Sequence, residues 1–145
     1  YIRACQMPDG GFRYIKGVDA GGSAFPRSAA ALVGLYSAGI YDDPATRRAL
    51  RYLQQFPPSA RAGVRDPRME RYYYYAHYYA ALAMWTAGGT AWSSWFPAIR
   101  DDLLLRARTG PSNVWNDFGH GSAYATAMAC IILQIPNNYL PILQK

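Results

Sequence analysis

Three long stretches of this chain carry no Asp, Glu, Lys or Arg: Ser28 to Tyr41, Tyr72 to Ile99 and Phe118 to Gln144. Between them lie segments in which charges alternate with leucines, Asp42 to Gln55 and Arg100 to Arg108. A helix that is apolar all round must be enclosed on every side, whereas one with a charged stripe faces water. The alternation therefore predicts two layers, uncharged helices inside and arginine-bearing helices outside. None of the three stretches reads as a membrane span, which needs about 20 unbroken apolar residues. Gly88-Gly89 splits the middle one, and Pro136-Asn137-Asn138 cuts the last one short. No β-alternation of useful length is present, so the expected class is all-α.

Internal similarity gives the period. Gly34-Leu35-Tyr36-Ser37-Ala38-Gly39 reappears as Ala83-Met84-Trp85-Thr86-Ala87-Gly88, and Arg3-Ala4-Cys5-Gln6 is echoed by Arg51-Tyr52-Leu53-Gln54. The texture of Ala80-Ala81-Leu82-Ala83-Met84 returns as Thr126-Ala127-Met128-Ala129-Cys130. A period of about 50 residues fits one helical hairpin per repeat. The expected helices run from Ser23 to Ala38, stopped by Gly39; from Asp43-Pro44, as cap and first helical residue, to Pro57-Pro58; from Arg71 to Ala87; from Trp92 to Arg106; and from Gly121 to Gln134. Arg47, Arg48 and Arg51 face outward on the second, with Leu50 and Leu53 inward. Pro58 to Arg68 reads as a loop.

At 145 residues the chain fits a single domain spanning 1–145, able to bury roughly 70% of its unfolded surface. With 51% hydrophobic and only 17% charged residues it has much to bury and little to spread over a surface, which suits part of something larger. Tyr1 is not followed by a secretory-signal pattern, so a processed product or a fragment is expected, and compartment stays open. The net charge of +6 favours an anionic partner. The fifteen basic residues do not cluster, however, and no nucleic-acid motif accompanies them, so nucleic acid is not the expected partner. Cys5 and Cys130 cannot define a disulfide framework. Both are expected as buried free thiols, with one bridge between them the alternative.

The junction Gln6-Met7-Pro8-Asp9-Gly10-Gly11-Phe12 resembles the QW motif of squalene-hopene cyclases and the Gly-Gly-Phe turn of protein prenyltransferase β subunits. In that family a glutamine ends an outer helix and stacks on an aromatic that opens the next inner one. Gln6 and Phe12 match the two anchors, with Phe in place of Trp. The later junctions are degenerate: Gln54 keeps the glutamine, and Gly110 to Trp115 keeps a glycine and a tryptophan. The texture of Tyr75-Ala76-His77-Tyr78-Tyr79, Ala127-Met128-Ala129 and Pro136-Asn137-Asn138-Tyr139-Leu140-Pro141 resembles bacterial prenyltransferase/squalene-oxidase repeat proteins. The resemblance implies an α/α toroid. Such rings use five to seven hairpins, and about 2.5 are present here, as in the C-terminal half of a ring. It also implies packing against the rest of a larger toroid, or self-association, because a partial ring leaves inner helices uncovered.

The family's chemistry is not matched. Asp42-Asp43 and Asp101-Asp102 do not form the Asp-x-Asp-Asp acid of class II cyclases; Asp43 reads as a helix cap and Asp101-Asp102 as a solvent face. The Asp-x-Cys unit of the prenyltransferase zinc site is absent before both Cys5 and Cys130, and no Cys or His pair has ordinary zinc spacing. His120 and Cys130 lie roughly 15 Å apart along a helix, too far for proton exchange; Cys5 with either histidine stays open. No cofactor or metal is expected, and the reading is of a structural or binding module without catalysis of its own.

The alternative is a pocket for an isoprenoid or other hydrophobic ligand. At helical spacing Tyr74, His77, Tyr78 and Trp85 share one face, and Tyr75, Tyr79 and Leu82 another. One of these faces would line a central funnel, the first being the candidate lining together with His120 and Tyr124. Against this stands plain packing, with the rings filling the interior, His77 a core histidine and Asp117 capping the last helix.

Overall fold

The computed structural model describes residues 1–18, 21–58, 70–110 and 114–138. These hold five α-helices and no strand, only an isolated antiparallel bridge between Gln6 and Phe12. The helices are α1 (Phe25–Ser37), α2 (Pro44–Leu53), α3 (Tyr73–Ala87), α4 (Gly89–Thr109) and α5 (Gly121–Gln134). Short 3-10 turns, Ile2–Cys5 and Ile135–Asn137, precede and follow them. Most of the loop expected from Pro58 to Arg68, and the tail Tyr139-Leu140-Pro141, lie outside the described residues.

The apolar helix α3 is the axis. It touches α1, α2, α4, α5 and the last 3-10 turn, with its largest contact against α1. Ala76, Ala80 and Ala83, spaced one turn apart, are completely buried, and such a row of methyls lets neighbouring backbones approach closely. Helix α1 packs on one side of α3 and α5 on another, while α2 pairs with α1 and α4 with α3. The charge-poor helices α1, which carries only Arg27, and α5 thus both pack on the uncharged α3, and α1 and α3 are each followed by an arginine-bearing partner.

Local chemistry sets the boundaries. Asp43 caps α2 through a reciprocal box: the Thr46 amide donates to Asp43 Oδ1 (2.8 Å) and the Asp43 amide to Thr46 Oγ1 (3.0 Å). Pro44 occupies the first helical position, as expected. Helix α2 presents Arg47, Arg48 and Arg51 to water and buries Ala49, Tyr52 and Leu53. It stops at Leu53, a few residues before the prolines. Gly88 and Gly89 both take positive φ, 69° and 51°, and turn α3 directly into α4. Helix α4 is longer at both ends than the 92–106 expected.

Gln6, Gly10, Gly11 and Phe12 form a tertiary staple. Gln6 Nε2 donates to the carbonyls of Gly10 (3.0 Å) and of Ala45 in the first turn of α2 (2.9 Å), and its Oε1 accepts from Arg48 (2.8 Å). Phe12 is 1% exposed, and its amide donates to the buried Ser28 Oγ on α1 (2.9 Å). The glycines are required by contact: a Cβ on Gly10 would lie 2.5 Å from the Arg48 carbonyl oxygen, and one on Gly11 2.7 Å from the Tyr52 ring. Gln54 caps the end of α2 and is exposed, without this tie. Trp115 fastens a different segment, donating Nε1–H to the Leu103 carbonyl of α4 (2.8 Å).

Two expectations fail on burial. Helix α5 carries no charge, yet it buries only Ala125, Ala129 and Ile132, leaving Ala123, Ala127, Cys130 and Gln134 exposed along one stripe. Among the described α-helices its main contact is with α3. Cys130 is therefore an exposed free thiol, not a buried one, whereas Cys5 is free and buried. Asp102 departs the other way: only Asp101 lies on the solvent face, and Asp102 is 2% exposed.

Candidate functional site

The reason Asp102 is buried lies one turn further along α4. Arg106 follows it at i+4, on the same face, and both turn toward the first residues of α3. Arg106 donates Nε–H to Asp102 Oδ2 (2.9 Å) and forks onto Glu70 through Nη1 (2.9 Å) and Nη2 (2.7 Å). Its guanidinium carbon lies 3.5 Å from the centre of the Tyr73 ring, and the Tyr73 hydroxyl donates to the same Asp102 oxygen. Burial alone would weaken the Arg106 charge, but its bonds to Glu70 and Asp102 and the nearby Tyr73 reverse this, and its pKa rises. Burial, chiefly, pushes the Tyr73 phenol well above its ordinary value.

This network forms one wall of a cleft of about 1150 Å³. The start of α3, the end of α4 and the turn from Asn116 to His120 enclose it. Asp117 builds that turn: its Oδ1 accepts the amides of Gly119 (3.0 Å) and His120 (2.9 Å) and pairs with His120 Nδ1 (2.8 Å). Asp117 is buried and His120 exposed, its ring against Tyr124 at 4.8 Å between centres. The carboxylate thus holds the turn that enters α5; the residue at the cap position itself is His120, with no side-chain bond into the helix.

The six aromatic candidates do not converge on this cleft. Tyr74 and His120 line it; His77, Tyr78, Trp85 and Tyr124 are not among its walls. His77 sits in the core between the rings of Tyr73 (4.5 Å), Phe25 (5.4 Å) and Trp95 (6.0 Å). Its Nδ1 and the Trp95 Nε1 are both buried without a hydrogen-bond partner. Trp85, at the far end of α3, packs edge-to-face on Trp92 (5.0 Å). Burial drives the Tyr74 phenol up to about 12.

A second aromatic surface takes the other face of α3. Tyr75 is exposed and Tyr78 and Tyr79 half-buried, with Tyr79 edge-on to both Tyr75 (4.9 Å) and Tyr78 (5.0 Å). Tyr124 of α5 is half-buried, and its phenol is raised by burial and then by the charges of Asp117, Tyr75 and Tyr79. Of the two faces read from helical spacing, the one starting at Tyr75 is the more open. Sequence reasoning weighted the other; it left out Glu70 and Arg106 and put Asp102 on a solvent face, although the i,i+4 spacing of Asp102 and Arg106 was the available signal. Among the described residues no group of three His, Cys, Asp or Glu could hold a metal ion, and no described helix is long and apolar enough to cross a membrane.

Removing one member of a buried ionic network leaves its partner desolvated and unpaired. Asp102→Ala should destabilise the fold by about 3–5 kcal/mol in urea unfolding, while Asp101→Ala should stay within about 0.5 kcal/mol. Equal effects would show that the Asp102 network contributes nothing. His77 supplies a pH test. Burial lowers its pKa from 6.5 to about 3, so the folded state keeps it neutral where the unfolded chain binds a proton. Stability should therefore fall as pH drops from 6.5 towards 3, and less steeply in His77→Phe. Parallel curves for the two proteins would contradict this assignment. Comparison with protein-family models, with curated proteins and with solved structures finds no match to the chain.

Proposed function

We infer that the chain is a structural or binding module made of helical-hairpin repeats of the α/α-toroid kind, related to those of terpenoid cyclases and prenyltransferases and without catalysis of its own. The observation that carries this reading is the Gln6–Phe12 staple. The glutamine joins the end of one short helical segment to the first turn of α2, and the aromatic is driven into the core beside α1. The contacts of α1 and α5 with α3, and of α2 with α1 and α4 with α3, support a reading as an inner and an outer layer. In this reading the uncovered stripe of α5, Ala123, Ala127, Cys130 and Gln134, is where the layer continues, through a further hairpin or a second copy of the chain.

The wild-type protein should then sediment as a dimer or larger species at micromolar concentration. Ala127→Arg should return it to a monomer with unchanged helical circular dichroism. A wild-type monomer under these conditions would count against the module reading.

A second reading, a site for an isoprenoid-like ligand, is favoured by the open surface of Tyr75, Tyr78 and Tyr79, whose rings offer apolar faces in place of charges. Farnesol should then raise the melting temperature in a dose-dependent way, and Tyr79→Ala should abolish the shift while still folding. No shift with the wild type would end this reading.

A further inference from the structure

In a chain of net charge +6, the cleft beside α3 balances its described acids, Glu70 and Asp117, against Arg71 and Arg106. Asp102 stands behind the wall, on Arg106. Arg106 is already engaged on Nε, Nη1 and Nη2 by two carboxylates, so it offers little to an incoming anion. Asp117 is different. Its side chain is 5% exposed and Oδ1 is occupied three times over, but Oδ2 accepts a hydrogen bond from none of the described residues. Tyr74 is 3% exposed, lines the same cleft and hydrogen-bonds through its hydroxyl to none of the described residues. Asp117 and Tyr74 thus line one cleft, each with a polar atom that no described residue engages.

The aromatic walls add a second preference. Two of their rings already hold cations on their faces: Arg106 over Tyr73 at 3.5 Å and Arg71 over Tyr72 at 5.4 Å. Phe118 stands fully exposed at the rim. Glu70 is neutralised by Arg106, so the charge an anion would meet unpaired on this side is the open Asp117 oxygen. A pure hydrocarbon would strand the open Asp117 oxygen in a dry site. A positively charged ammonium donates to the open carboxylate oxygen and places its stem against the rings.

We propose that this cleft binds an organic cation, a primary ammonium on a short aliphatic stem, with the charge on Asp117 Oδ2, Tyr74 Oη as second contact and the stem against Tyr72 and Phe118. The assignment is independent of the repeat reading. The ammonium can come from a free amine or from a lysine side chain of a peptide; the recognising chemistry is the same.

The test is a titration of the purified chain with n-butylammonium, butyrate and n-butanol, followed through the backbone amide resonances of Gly119 and His120. Saturable shifts are expected with n-butylammonium and none with the other two at equal concentration. Asp117→Asn keeps an acceptor for the Gly119 and His120 amides but loses the charge, and should bind about tenfold more weakly or worse. Tyr74→Phe should weaken binding by about threefold. An acetylated lysine-containing peptide run in parallel separates the sources: saturation by n-butylammonium shows that a free amine suffices, and saturation by the peptide alone assigns a lysine side chain. Shifts of equal size with butyrate overturn the proposal, as does a folded Asp117→Asn protein that binds as tightly as the wild type. If Asp117→Asn does not fold, unweakened binding by Tyr74→Phe overturns it instead.

Discussion

Everything in this molecule is arranged to enclose α3. A fifteen-residue helix with no charged side chain has no face it can offer to water without loss. The surrounding helices are positioned by that requirement: α1 covers it most extensively, α4 folds back on it through two glycines, and α2 and α5 close further sides. Fully burying a single large apolar side chain is worth about 1.5–3 kcal/mol, and α3 gathers many such groups. The polar groups caught up in this enclosure then have to be satisfied, which is what the Asp102, Tyr73, Arg106 and Glu70 cluster does at one end of the helix.

The two ends of α3 answer that demand differently. At the C-terminal end the solution is apolar, with Trp85 against Trp92 and Trp92 in turn near Trp95 and Phe96. At the N-terminal end it is ionic and leaves a cleft. The difference follows from the partner helix, whose first half carries tryptophans and whose second half carries aspartates and arginines. One helix pair therefore has a dry end and a polar one, and the site arises at the polar end.

Helical class, the Asp43-Pro44 start of α2 and the Gly88-Gly89 reversal were legible in the sequence, because each depends on local chemistry that a few neighbouring residues specify, whereas the bonds of Gln6 to Ala45 and Arg48 reach some forty residues along the chain. What was not legible depends on which side of a helix a neighbour covers. Asp101 and Asp102 are identical in type and adjacent in sequence, yet one is solvated and the other buried; only Arg106 one turn on distinguishes them. Likewise the tyrosines of α3 offer two plausible faces, and composition alone does not say which meets α1. The exposure of Cys130 belongs to the same class, since a helix with no charges was expected to be enclosed and α5 has one side uncovered. Helix lengths shifted by a few residues where cap chemistry was weak, as at both ends of α4.

The ion pairs of this chain fall into two populations that respond differently to ionic strength. Arg47 with Asp42, and Arg100 with Asp101, are solvent-bathed, and added salt screens them over a distance of about 8 Å at physiological concentration. The Arg106 guanidinium, with a side-chain exposure of 11%, is screened much less. Brine would therefore loosen the periphery of the molecule while leaving the α3–α4 clasp, and with it the shape of the cleft, close to what it is in dilute buffer.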